Sequence, residues 1–83
     1  METIIIEIYL PGNNQILDFS VPSQVCIGSY IKELIHLVNI GAKNVFIDDE
    51  HPMICDMRHK CPLPFEKTLA ECHVRDGDRL MLL

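Results

Sequence analysis

Val74-Arg75-Asp76-Gly77-Asp78-Arg79-Leu80-Met81-Leu82-Leu83 closes the chain, and its reading decides the fold. Asp76-Gly77 is a tight-turn signal. Beyond it, Leu80 and Leu82 alternate with Arg79 and Met81, the period-two pattern of a strand. The opening of the chain carries the same pattern at greater length. From Thr3 to Leu10, Ile4, Ile6, Ile8 and Leu10 fall on one face, and Ile5, Glu7 and Tyr9 on the other.

Between these two ends the signals change in order. Pro11-Gly12-Asn13-Asn14 is dense in turn residues, and Gln15 to Val21 reads as a second strand. Its Leu17, Phe19 and Val21 face one way, with Asp18 and Ser20 facing the other. The spacing makes a hairpin with a slightly long loop. Val21-Pro22-Ser23 ends the strand, and Ser23 is placed to help initiate a helix. Ile27, Tyr30, Ile31, Leu34, Leu37 and Val38 then follow helical spacing, and Ile35 widens the stripe. Gly41 fits just past the helix end.

The second half is less regular. Val45-Phe46-Ile47 needs burial, whereas Asp48-Asp49-Glu50 needs water or a basic partner surface. Pro52 to Met57 reads as a strand. Alternation there sends Met53, Cys55 and Met57 to the core, with Ile54 and Asp56 outward. Cys61-Pro62-Leu63-Pro64-Phe65 is extended, but proline cannot donate to a sheet ladder, so the segment is at best a short edge strand. Thr68 to Cys72 suits a helical turn before the last strand. The expected fold is therefore α+β, a β-grasp: a mixed sheet of four or five strands, one main helix on one face, and the last strand parallel to the first. Residues 1–83 are expected to form one domain.

The bulk numbers bound the function. With 48% hydrophobic and 23% charged residues the chain has material for a core and is not a disordered segment. A domain of this size buries only roughly 60% of its unfolded surface, so a large internal cavity is not compatible with a core. The net charge of −5, with lysines and arginines scattered, argues against a phosphate-backbone partner. Met1-Glu2-Thr3 lacks the basic start of a signal peptide, and no run approaches the roughly 20 apolar residues of a membrane span. The expectation is a cytoplasmic protein that neither inserts in a membrane nor binds nucleic acid.

Three fragments together point to a family: Val21-Pro22-Ser23 leading to the helix with Ile27, Ile31 and Leu34-Ile35; Thr68-Leu69; and Asp76 to Leu82. Over essentially its whole length the chain resembles ubiquitin. It is more similar to the small bacterial ubiquitin-like proteins of the YukD/EsaB type, which accompany type VII secretion systems of Gram-positive bacteria. That resemblance implies a non-enzymatic accessory or regulatory protein. It implies binding to secretion-machinery components at the cytoplasmic side of the membrane, without attachment to substrates. A sulfur carrier or conjugated modifier also uses this fold, but it needs a terminal glycine pair for adenylation, and Leu82-Leu83 does not supply one.

Candidate sites follow from strand parity and residue chemistry. Ile5, Tyr9 and Met81 point away from the helix-facing set, with Ile54 joining them and Arg79 on the same face. These five form the expected protein-binding patch. Cys55, His59, Cys61, Cys72 and His73 are potential zinc ligands, but their spacing matches no zinc knuckle, and free thiols with surface histidines are the plainer reading. Cys26 at the helix start is a candidate reactive thiol, against an ordinary apolar role. A Cys-His dyad needs an orienting third group and a pocket, neither of which the sequence offers. No catalytic residue, cofactor or metal is expected. The different-class alternative is a small metal- or thiol-responsive regulator using Cys61 and Cys72 with neighbouring histidines.

Overall fold

A computed structural model describes residues 2–83. Strand β1 (Thr3–Leu10) and β2 (Gln15–Pro22) form an antiparallel hairpin. A short 3-10 turn (Ile27–Ser29) precedes helix α1 (Ile31–Gly41). Strands β3 (Ile54–Asp56), β4 (Cys61–Pro62) and β5 (Arg79–Leu82) follow. The five strands lie in the order β2-β1-β5-β3-β4. The closing strand sits beside the opening one and parallel to it, with Ile8 opposite Leu80 and Tyr9 opposite Met81. This is the β-grasp plan expected from the sequence.

The turn before β5 is stitched to β1. The Asp76 carboxylate accepts from the Ile5 amide at 2.6 Å, and the Gly77 amide donates to the Ile5 carbonyl at 2.7 Å. Gly77 has φ +89, a conformation that L side chains rarely adopt, so a glycine is required there by the backbone. Asp78 ties the other side of the turn: its carboxylate accepts from the Arg75 amide and from the Arg58 guanidinium, each at 2.9 Å.

One apolar core joins the two halves. Ile6, Ile8 and Leu10 of β1 and Leu80 and Leu82 of β5 pack with Ile31, Leu34, Ile35 and Val38 of α1. The helical stripe is narrower than its spacing suggests, since Leu37 is 48% exposed. Val45-Phe46-Ile47 is split in the same way: Ile47 is buried, and Phe46 is 80% exposed. Asn39 anchors that loop by bonding both the amide and the carbonyl of Ile47, at 2.8 and 3.0 Å.

Several local roles differ from the sequence expectation. Ser23 starts no helix. It is buried, donates its hydroxyl to the Glu2 carboxylate at 3.0 Å, and accepts the Ala70 amide on its carbonyl. Gly41 is the last residue of α1, not the stop beyond it, and a Cβ there would lie 3.6 Å from Leu17. The 68–72 turn is held by a reciprocal pair. The Thr68 amide donates to the Glu71 carboxylate at 2.9 Å, and the Glu71 amide to the Thr68 hydroxyl at 3.0 Å, the arrangement of a capping box.

Tyr30, ahead of α1, carries the one orphan polar atom among the described side chains: its hydroxyl is buried without a hydrogen-bond partner. Burial first, and the neighbouring Cys72 second, push its pKa up to about 12. Tyr30→Phe keeps the ring and removes the unpaired group. It is expected to stabilise the fold by about 1 kcal/mol, because an unmade buried hydrogen bond carries a full desolvation cost. For a domain of this size that is a rise in Tm of about 4–8 °C, readable in a circular-dichroism melt. A lower Tm would mean that the hydroxyl has a partner.

Candidate protein-binding face

Strand alternation turns one side of the sheet to α1 and leaves the other uncovered by helix. In β5, Leu80 and Leu82 are fully buried, while Arg79 and Met81 point to the uncovered side. In β1, Ile5, Glu7 and Tyr9 do the same. Register then lines up one transverse row across every strand: Ile16 pairs with Tyr9, Tyr9 with Met81, Met81 with Cys55, and Cys55 with Pro62. Residues opposite one another in a sheet share a face, so this row is a continuous apolar band.

Polar groups flank the band on one side. Asp18, Glu7 and Arg79 form the neighbouring row, in which the Arg79 guanidinium meets the Glu7 carboxylate at 2.8 Å. Both partners are substantially exposed, so the pair orients side chains more than it stabilises the fold. On the other side, Met53 and Leu83 exchange backbone hydrogen bonds of 2.9 and 3.2 Å, which brings two further exposed apolar side chains together. The Tyr9 hydroxyl donates to the Asn14 side chain in the hairpin turn and so holds the ring over the sheet. At the β3–β4 end, Cys55, Met57, Lys60, Cys61, Pro62 and Met81 line an open apolar concavity.

Of the five patch residues expected from sequence, Ile5, Tyr9, Arg79 and Met81 lie on this face. Ile54 does not: it is buried at 2% exposure and faces α1. The parity of β3 is the reverse of the expected one. Ile54 and Asp56 point inward, and Met53, Cys55 and Met57 point outward. The cause is Asp56. Its carboxylate is fully buried yet satisfied by the turn that follows, accepting the Arg58 amide at 2.9 Å and bonding the His59 ring. Cys55 therefore takes the place beside Met81 that was assigned to Ile54. Ile16, Cys55, Met53 and Pro62 were missed. Ile16 was legible, since it shares the parity of Asp18 and Ser20 in β2.

The cysteines and histidines are spread over the fold. Cys26 lies before the 3-10 turn, not at the start of α1, and its thiol donates to the Glu66 carbonyl at 3.3 Å. His59, Cys61, Cys72 and His73 line a second recess, between β4 and the 68–73 turn. Among the described residues no three histidine, cysteine or acidic side chains stand close enough together to hold a metal ion. No helix among them is long and apolar enough to cross a membrane.

Comparison with known proteins places this architecture. Residues 3–82 match the family described as "WXG100 protein secretion system (Wss), protein YukD". The chain belongs to the YukD family. Among curated proteins, none matches the sequence. Among solved structures, the ubiquitin-like domain of EccD5 from Mycobacterium xenopi superposes with a TM-score of 0.81 at 22% identity, covering 100% of this chain and 94% of that one. The ubiquitin-like domain of the Mycobacterium tuberculosis type VII secretion protein ECCD1 gives 0.84 at 18% identity, covering 100% and 99%. A chain of the ESX-5 inner membrane complex gives 0.79 at 18% identity, and only 21% of that chain is covered. At these identities the structural likeness establishes the fold, a ubiquitin-like β-grasp, for this YukD-family chain.

Proposed function

We propose that the whole chain works as one ubiquitin-like domain, a non-enzymatic protein-binding accessory of a type VII secretion system, and docks through the helix-free face of its sheet onto cytoplasmic parts of a membrane-bound secretion machinery. The observation that carries this reading is the apolar band Ile16–Tyr9–Met81–Cys55–Pro62, which runs across the full sheet with no covering element among the described residues. Of the eight large hydrophobic side chains exposed among the described residues, Ile5, Ile16, Met53, Met57 and Leu83 belong to this face. Exposed apolar area gathered on one side marks an interface, whereas scattered hydrophobes do not. Family membership and the structural likeness to part of a chain of the ESX-5 inner membrane complex favour a secretion-machinery partner.

The test is affinity purification from the native cell followed by titration of the captured secretion component. Met81→Asp and Ile5→Asp should leave the circular-dichroism spectrum unchanged and weaken binding by about 30-fold or more, the loss typical of a central interface residue. Wild-type affinity in both variants rejects the face.

A further inference from the structure

Cys61 and Cys72 are separated along the chain but line one recess, between the edge strand β4 and the 68–73 turn. Register gives Cys61 the same side of the sheet as the buried Asp56, whereas Cys55 opposes Pro62 on the docking side. The two segments are also tied together. The Arg58 guanidinium, two residues before Lys60, donates to the His73 carbonyl at 2.7 Å, immediately after Cys72. Cys26 is occupied elsewhere, against the Glu66 carbonyl.

We propose that Cys61 and Cys72 form a dithiol modification site that reacts with a low-molecular-weight disulfide and closes into a Cys61–Cys72 bond, tying β4 to the 68–73 turn. The exposed Cys61 thiolate attacks one sulfur of the small disulfide. A mixed disulfide forms, and one small thiolate leaves. The Cys72 thiolate then attacks the Cys61 sulfur, forms the internal bond and expels the second small thiolate. Two protein thiols are oxidised, one small disulfide is reduced to two thiols, and the two protons pass from protein to product. The order follows from the environments. Cys61 is exposed, and Cys72 is half-buried. Burial above all raises the Cys72 thiol; Lys67 opposes this, and Glu71, Cys61 and Asp56 add to it. Cys72 is therefore the poorer first nucleophile and acts as the resolving thiol.

The site has a route to the docking face. Cys61 and Pro62 line both this recess and the concavity beside Met81. Closing the bond fixes the strand that forms the end of the apolar band. This consequence rests on the proposed docking role, whereas the disulfide chemistry does not.

The experiment incubates the native full chain with oxidised glutathione and reads intact mass and digested peptides. Wild type should lose the mass of two hydrogens and yield a Cys61–Cys72 linked peptide. Cys72→Ser should stall with one glutathione on Cys61, and Cys61→Ser should form no internal bond. A different linked pair, or persistent glutathionylation of wild type at Cys61, overturns the proposal. The captured partner is then titrated against reduced and oxidised wild type, with Met81→Asp alongside. A several-fold difference between the redox forms supports the coupling. Equal affinity with the linked peptide present removes the coupling and leaves the dithiol site standing. Only undiminished binding by Met81→Asp speaks against the docking face itself.

Discussion

Leu80→Ala is expected to cost about 2–5 kcal/mol, the range for truncating a fully buried leucine in a core that cannot collapse around the gap. Leu80 is 0% exposed and lies in β5 between two other strands, opposite Ile8 on β1 and opposite Asp56 on β3. There is no edge through which the packing can relax. At about 0.05–0.15 kcal/mol per residue, a domain of 83 residues has a total stability of about 4–12 kcal/mol, so the substitution removes a large share of it. With a urea slope of about 1 kcal/mol per molar, the unfolding midpoint falls by at least about 2 M, or the protein is unfolded in buffer. Met81→Ala, one residue along and on the open face, should shift the midpoint far less. Urea titration followed by circular dichroism checks both. A Leu80→Ala variant within about 1 kcal/mol of wild type would contradict a central, core-facing β5.

That contrast between neighbours is also why the fold was readable. In β1, β2 and β5 every second residue is apolar over several positions, so the face toward α1 is fixed and a slip of one residue would bury Glu7, Asp18 or Arg79. The Asp76-Gly77-Asp78 turn adds a conformational requirement that glycine meets. The short elements carried no such redundancy. Strand β3 has three residues, and its inward-facing pair includes a carboxylate, so polarity alone assigned the wrong side. Leu37 looked like core because it fits the helical stripe, but of the 11 residues of the helix only Ile31, Leu34, Ile35 and Val38 are buried.

The face proposed for docking was legible to the same degree as its strands. Ile5, Tyr9, Arg79 and Met81 come from long, regular alternation. Ile54 came from β3 and was misplaced with it. Cys61 to Phe65 was read as at best a short edge strand because proline blocks ladder hydrogen bonds, and β4 (Cys61–Pro62) is one, but no side chain of it was assigned to the face. At an edge position that limitation is harmless, and the Pro62 ring simply extends the apolar band. Residue chemistry already grouped Cys61 with Cys72 in the thiol-responsive alternative, but their sharing one recess depends on how the 57–60 turn and the 68–73 turn meet, which periodicity does not show.

Asp56→Asn is the second large effect, and its pH dependence gives it a specific signature. The side chain is fully buried at the start of the β3–β4 turn. It accepts the Arg58 amide and bonds the His59 ring, while the Lys60 amide closes the turn on the Asp56 carbonyl at 2.7 Å. Burial pushes its pKa up and is the largest single influence. The His59 side chain, the Arg58 and His59 amides and the charge interaction with His59 act together in the other direction and leave it below the ordinary carboxylate value. A folded pKa below the unfolded one means that the ionised carboxylate stabilises the fold. That contribution is complete above the unfolded value of about 4 and is lost as pH falls through the lower, folded value. At pH 7, Asp56→Asn should therefore cost about 1.5–3 kcal/mol, the worth of hydrogen bonds to a charged group. The gap between wild type and variant should begin to narrow as pH falls below the unfolded value of about 4 and close only once pH is below the lower, folded value, where both carry a neutral side chain. Other acidic residues also titrate there, so the readout is the difference between the two proteins in urea midpoints taken from pH 7 downward. A constant offset across that range would show that the carboxylate's charge plays no part and that Asp56 contributes only through its shape and its neutral hydrogen bonds.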